Sequence, residues 1–419
     1  MMAIFRLAWQ SLANRKATAI LTLLTVAISV TLLISVERVR TQTKASFANT
    51  ISGTDLIVGS RSGQVNLLLY SVFRIGNATN NISWESYQEL SQHPSVDWTI
   101  PISLGDSHRG YRVIGTNDDY FKFYKYGRSQ PLTFADGRPF EGLLEAVVGA
   151  EVARKLNYQV GDEVIIAHGL SDMAFNRHDN APFKIVGILA PTGTPVDRSV
   201  HVSLEAIEAI HVGWETGANM GYTPDAETLE QREYEPAQIT AAFFGLKSKI
   251  QTFALQRHIN TYRQEPLSAI MPGIALHELW GMMSIAEQAL MVVSGFVVVA
   301  GLLGMLTGLL TSLNERRREM AILRAMGARP GHIFFLLVSE ATVLTTAGIG
   351  LGLGFLYGLL ALLQPLVQQQ FGIYLAITPP TQYEWILLAI VQLAGIIVGL
   401  IPAFRAYRHS LADGMTIRV

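Results

Sequence analysis

The sequence predicts a membrane protein with four transmembrane α-helices, one N-terminal and three C-terminal, and a large α+β domain inserted between spans one and two. Three observations lead there. Only 16% of the 419 residues are charged, against about 25% in an ordinary soluble domain. Four stretches are apolar for long enough to cross a hydrocarbon core of about 30 Å. Charge is also unevenly distributed: residues 41–280 hold 19 Lys+Arg and 26 Asp+Glu, net −7, while the flanks are basic. The overall net charge of −1 excludes a generally basic nucleic-acid binder. With no cysteine, disulfides, thiolate zinc sites and a Cys nucleophile are excluded as well.

In residues 1–16, Ile4, Leu7, Ala8 and Phe5, Trp9, Leu12 fall at helical spacing beside Arg6 and Arg15, which predicts an amphipathic helix in the inner interface. A plain continuation of the first span is the alternative. Span one, 17–36, carries no charge. A cleaved signal peptide would need a shorter apolar run and a small-residue cleavage site, and neither is present. Residues 37–288 form the outer stalk and domain. Span two is 289–313, also uncharged, and span three is 333–363, with Glu340 its single ionisable residue. Span four, 383–401, opens on the interfacial pair Tyr383 and Trp385 and stops at Pro402, leaving a tail at 402–419.

Arginine placement orients the spans. Arg6, Arg15 and Lys16 precede the first; Arg316, Arg317, Arg318, Arg324 and Arg329 lie in the 314–332 connection; Arg405, Arg408 and Arg418 follow the fourth. The 364–382 connection has no Lys or Arg. By the positive-inside rule the termini and 314–332 are cytoplasmic, and the 41–280 domain faces outward, toward the periplasm if the cell is Gram-negative. Arg38, Arg40 and Lys44 run against the rule locally.

Gly348, Gly350, Gly352, Gly354 and Gly358 place small-xxx-small pairs along span three, and Gly295, Gly301, Gly304 and Gly308 do so along span two. Packing inside one bundle and a homodimer interface account for them equally well. Glu340 lies near the cytoplasmic edge, where Arg324 or Arg329 is a natural partner. The spans lack the rows of polar groups that an ion path needs.

The 314–332 connection is the most specific stretch. Its helix formers end at Gly327, and Pro330 suits the first turn of the next helix. Met320, Leu323 and Met326 with Gly327 form an apolar ridge, bordered by Glu315, Arg316, Glu319 and Arg324. A short helix with an exposed ridge and charged rim suits protein docking.

Residues 315–328, Glu-Arg-Arg-Arg-Glu-Met-Ala-Ile-Leu-Arg-Ala-Met-Gly-Ala, resemble the loop after the second span of MacB/FtsX/LolCDE-type ABC permeases, the type VII or mechanotransmission class. The entry at 8–16, the exit at 401–408 and the outer phrases at 147–156, 160–164 and 183–189 are similar to the family too. The resemblance implies that 314–332 is a coupling helix seated on an ABC ATPase dimer, which binds ATP and Mg. It also implies a permease dimer, homodimeric or heterodimeric, and a periplasmic or outer-membrane client. No Gly-Lys dipeptide occurs, so a Walker A phosphate loop is missing from these residues and ATP hydrolysis is expected in a partner in trans.

In the outer domain, strands are expected at 54–58, 98–102, 111–114, 162–167 and 183–189, and helices at 83–91, 203–211 and 247–263. The resemblance implies a porter-like part from residues near 50–116 and 237–272, with a subdomain inserted between. Eight of ten histidines fall in this domain. His168, Asp172, His178 and Asp179 offer imidazole and carboxylate to zinc, though their spacing matches no recognised ligand pattern. No Gly-x-Ser-x-Gly or His-Glu-x-x-His motif occurs, and no enzyme is read here. Two other functional classes are kept: a periplasmic metal-handling component, and a passive membrane-anchored interaction or sensor protein.

Overall fold

The computed structural model describes residues 16–48, 50–127, 129–168, 178–212, 224–315, 320, 322, 324–371 and 377–408. The amphipathic helix expected before residue 16 lies outside them, as does the tail after 408. The chain divides into two compact units, one of residues 1–42, 284–366 and 375–419, the other of 43–283 with 367–374.

Among the described residues the α-helices are, in chain order, α1 (Lys16–Ala48), α2 (Gln64–Ser71), α3 (Trp84–Ser91), α4 (Asp119–Phe123), α5 (Ala150–Leu156), α6 (Leu204–Ile210), α7 (Ala226–Glu230), α8 (Thr252–Asn260), α9 (Pro272–Glu315), α10 (Pro330–Phe371) and α11 (Gln382–Arg408). Four of them, α1, α9, α10 and α11, are long and apolar enough to cross a membrane. Helix α9 has 44 residues, about 66 Å at about 1.5 Å per residue, more than twice a hydrocarbon core. Segments 37–48 and 275–288 are therefore helical beyond the apolar runs.

Helix α1 is the centre of its unit. Val26, Val30, Leu33 and Ile34 are buried against Leu302, Met305 and Leu309 of α9 and Leu344 and Leu356 of α10. Small residues let the backbones approach. A Cβ on Gly348 would stand 2.6 Å from Val26 Cγ1, one on Gly352 2.8 Å from the Ala27 carbonyl oxygen, and one on Gly301 2.4 Å from Ser29 Oγ. Directional bonds accompany these contacts: Ser29 Oγ donates to the Val297 carbonyl at 3.1 Å and Thr31 Oγ1 to the Gly352 carbonyl at 2.9 Å. Gly350, Gly354 and Gly358 have nothing within 4 Å, so the glycines of span three split into a packed set and an open set.

The outer unit is a mixed sheet with helices. Its main strands are β1 (Leu56–Ser60), β2 (Val96–His108), β3 (Tyr111–Thr116), β4 (Phe134–Gly137), β5 (Glu145–Val148), β6 (Phe183–Leu189), β7 (Ser199–Ser203), β8 (Ala241–Leu246) and β9 (Leu267–Ile270). Their order is β9-β1-β8-β2-β3-β7-β5-β6-β4. The pairs β3–β7 and β5–β6 are parallel, the others antiparallel. This α+β mixture is the class the sequence predicts.

Strand β2 is longer than the expected 98–102 because it serves two neighbours. Its residues up to Ile102 pair with β8, and those from Ser103 pair with β3 across a bulge between Leu104 and Ser107. The expected strand at 162–167 is two short pieces, Glu163–Val164 on β6 and Ala167–His168 on β2. Helices start where the chain supplies caps. Ser83 Oγ accepts from the Ser86 amide at 3.3 Å to open α3, and Ser203 Oγ accepts from the Ala206 amide at 3.0 Å to open α6. The 247–263 helix is shorter than expected, a 3-10 turn at Lys249–Gln251 followed by α8.

Candidate functional site

Helix α9 is described as far as Glu315, and Met320, Ile322, Arg324 and Ala325 are helical. Arg316, Glu319 and Leu323 lie outside the described residues, as does the side chain of Glu315. The last turn closes when the Met326 amide donates to the Ile322 carbonyl at 3.0 Å and the Gly327 amide to the Arg324 carbonyl at 2.9 Å. Gly327 then takes φ +98°, in a region that residues with a Cβ avoid, which stops the helix. Arg329 ends the connection: its amide donates to His332 Nδ1 at 3.2 Å, and α10 begins at Pro330.

The expected ridge is redistributed. Met320 is half-buried and packs with Leu313, Ile333, Leu337, Ala403 and Ala406 at one end of the bundle. Ile322 is 52% exposed and Met326 72% exposed, one helical turn apart. Sequence reasoning missed Ile322, because helical spacing alone does not say which stripe faces the bundle. Arg324 also turns back, donating to the carbonyls of Ala406 and Tyr407 at 3.2 and 3.4 Å. Those oxygens belong to the last described turn of α11. Among the described residues Ile322, Met326 and Gly327 form an exposed apolar tip on a turn that Gly327 ends. Glu340 is buried in α10.

The histidines resolve differently from their order in the sequence. Asp172 is outside the described residues, and Asp179 is exposed. His178 is buried, with its ring edge-on to His211 at 5.6 Å between centroids. His211 Nε2 lies 3.8 Å from Asp106 Oδ1, and His168 is the strand partner of Asp106. Elements distant in sequence therefore bring His178, His211 and Asp106 near one another. Among the described residues no group of three His, Asp or Glu side chains is arranged to hold a metal ion.

The remaining histidines have local tasks. His108 bridges the Ile165 carbonyl at 2.7 Å and the Tyr158 hydroxyl at 2.8 Å. That pattern suits a neutral ring donating from Nδ1 to the carbonyl and accepting at Nε2. His201 is fully buried between Tyr120 and Phe121, and burial, helped by the Arg74 charge, pushes its pKa down to about 3. It is a core residue, neutral at physiological pH. Glu145 is held at about 2, first by its hydrogen bond from Arg138 and then by the amides of Glu141 and Gly142.

Comparison with known proteins agrees with this layout. A family model described as the MacB-like periplasmic core domain matches residues 19–260, and one described as the FtsX-like permease C-terminal matches 291–411. The macrolide export ATP-binding/permease protein MacB of Burkholderia cenocepacia is 23% identical, with 98% of this chain and 57% of that protein aligned. A probable export ATP-binding/permease protein MacB of Pseudomonas entomophila is 25% identical over 96% of this chain and 57% of its own length. The chain thus spans a little over half the length of these relatives. The crystal structure of the periplasmic region of MacB from Actinobacillus actinomycetemcomitans covers 55% of this chain and 94% of its own, at 10% identity and a TM-score of 0.34. With the periplasmic core model spanning more than half of the residues and the permease model covering the last three spans, the chain belongs to the MacB/FtsX-type ABC transporter permeases.

Proposed function

We propose that the chain acts as a lever in the bacterial inner membrane. An ABC ATPase dimer supplied in trans binds ATP and Mg and closes; the 314–332 connection rides on it; helices α1 and α9 carry the displacement to the periplasmic domain. The permease works as a dimer, and its outer domain acts on a client in the periplasm or outer membrane, by export, extraction or activation. The Burkholderia cenocepacia relative is named as a macrolide export protein, which makes export of an amphiphile the first client to test.

The exposed tip carries this reading. A span-to-span connection that serves only as a topology anchor needs arginines and nothing else. Here it also presents Ile322 and Met326 on a helical turn ended by Gly327, the form of a docking element. Large apolar side chains at the centre of an interface typically dominate its affinity, so placing a carboxylate there is costly.

The test is copurification of the full-length chain with its ABC ATPase. Ile322→Asp and Met326→Asp are each expected to weaken the complex at least about tenfold, about 1.4 kcal/mol, with membrane insertion unchanged. A wild-type chain that retains no nucleotide-hydrolysing subunit, or variants that bind like wild type, would contradict the proposal and favour a passive anchored protein.

A further inference from the structure

Arg38 is the residue that the charge rule least accommodates, since it follows the first apolar run on the outward side. The structure buries it, at 3% exposure, against Glu384 at 1%. Its Nε donates to Glu384 Oε1 at 2.9 Å and its Nη2 to Oε2 at 3.2 Å, a two-pronged pair. Nη2 also reaches the Thr378 carbonyl at 2.9 Å and the Tyr357 hydroxyl at 3.0 Å, and the guanidinium carbon lies 4.9 Å from the centre of the Tyr357 ring.

The acceptor side is equally constrained. Glu384 Oε2 accepts from the Thr381 amide at 2.8 Å, while the Glu384 amide donates to Thr381 Oγ1 at 3.2 Å. That reciprocal pattern is a capping box, and it fixes the start of α11. Tyr357 donates to the Thr378 carbonyl at 2.9 Å. Close by along α1, Arg40 pairs with buried Glu37 at 2.8 Å and lies 4.0 Å from Glu287 of α9. One side chain of α1 therefore holds α10, the chain before α11 and α11 itself.

Stability alone does not explain such a pair. A buried ion pair is commonly no more stabilising than apolar residues of the same volume, and its best-attested use is to specify register. Register is what α1 lacks. Toward α10 and α11 its other described contacts are apolar surfaces, glycine clefts and the Thr31 hydroxyl bond, which tolerate sliding better than a doubly bonded guanidinium, and toward α9 the Arg40–Glu287 pair is long, at 4.0 Å. The cytoplasmic connection is covalently joined to α9 and α10 only. Helix α1 receives any displacement across side-chain contacts.

We propose that Arg38 is a positioning residue: it keys the outer end of α1 to α10 and α11, so that displacement entering at the cytoplasmic connection leaves through α1 as well as α9. The proposal rests on the lever reading, and its test separates the two.

The natural chain has no cysteine, so introduced cysteines label cleanly. Arg38→Met alone leaves a buried carboxylate and is a poor probe. The double variant Arg38→Met/Glu384→Gln removes both charges and keeps a side chain able to cap α11, so a merely structural role would be restored in it. In the full-length chain with its ATPase in lipid nanodiscs, spin labels at Val39→Cys and Ile386→Cys, 53% and 51% exposed in the native chain, report the outer ends of α1 and α11. Labels at the exposed Glu163→Cys report the outer domains of two copies.

The expected result is a narrow Val39–Ile386 distance in the native background and a broad one in the double variant. The double variant keeps its melting temperature and its ATP turnover within about twofold, but loses at least about half of the ATP-driven change at Glu163. A double variant with native distances, or with a native ATP response, overturns the proposal. If the native background shows no ATP response at all, the lever reading fails, and the Val39–Ile386 pair alone decides: broadening in the double variant upholds the keying of α1, and unchanged distances overturn it.

Discussion

Gly352→Leu is expected to break the helical unit, whereas Gly354→Leu, two positions on in the same helix, leaves it folded. A Cβ at 352 would lie 2.8 Å from the Ala27 carbonyl oxygen and 2.9 Å from Val30 Cβ, so α1 and α10 must separate to admit even a methyl group. Separation also stretches the bond from Thr31 Oγ1 to the Gly352 carbonyl. Overpacking a close-packed interface costs about 1–3 kcal/mol, and here the obstruction is backbone, which cannot rotate away. Around Gly354 nothing lies within 4 Å. Thermal unfolding of the detergent-solubilised chain is the measurement. The expected outcome is a melting temperature several degrees lower, or no recoverable protein, for Gly352→Leu, and a native value for Gly354→Leu. Equal behaviour of the two would contradict the packing of α1 on α10.

Acid is expected to unfold the outer domain chiefly through His201. The ring is fully buried, its Nδ1 stands 3.3 Å from the Val147 carbonyl, and burial holds its folded pKa at about 3 against 6.5 for an ordinary histidine. The folded state therefore refuses a proton that the unfolded chain accepts. Stability is fully present above about pH 6.5 and falls as pH drops toward 3, by about 1.4 kcal/mol per pH unit. At pH 4.5 that amounts to about 3 kcal/mol, a large share of an ordinary domain's stability. His201→Phe retains aromatic volume between Tyr120 and Phe121 and removes the titration. Denaturant unfolding between pH 7 and 4 is expected to show a slope shallower by one proton in the variant. An unchanged slope would mean that another group governs the acid response.

The four spans are legible in the sequence because an apolar run of about twenty residues matches the thickness of a hydrocarbon core and outlasts the apolar face of an ordinary buried helix. The helix starts expected at 83 and 203 are legible because they too are local: the structure makes Ser83 and Ser203 the caps, each accepting from a free amide of the first turn. Sheet order is not local. Strand β2 looks like five residues because its β-branched run is clearest at 98–102, yet pairing with β8 on one stretch and β3 on the next extends it to thirteen.

Distant partners are illegible altogether. Arg38 is marked in the sequence as a misplaced charge, but Glu384, 346 positions later, is one acidic residue among 33 until the fold joins them. The turn between α9 and α10 shows the limit of periodicity in the same way. Spacing groups Met320 with Met326, and only the end of the bundle around Leu313 and Ile333 decides that Met320 turns in while Ile322 and Met326 face out. Sequence proximity likewise groups His168 with Asp172, His178 and Asp179, whereas the fold sets His178 near His211 and Asp106.

A single photocrosslinker at Met326→Cys, in the full-length chain with its ABC ATPase and ATP in native membranes, tests the central claim most directly. The lever account predicts that the ATPase subunit is captured as the main adduct, and that Ile322→Asp in the same chain abolishes the capture. Adducts with lipid alone, while the ATPase is present and turning over, would contradict it.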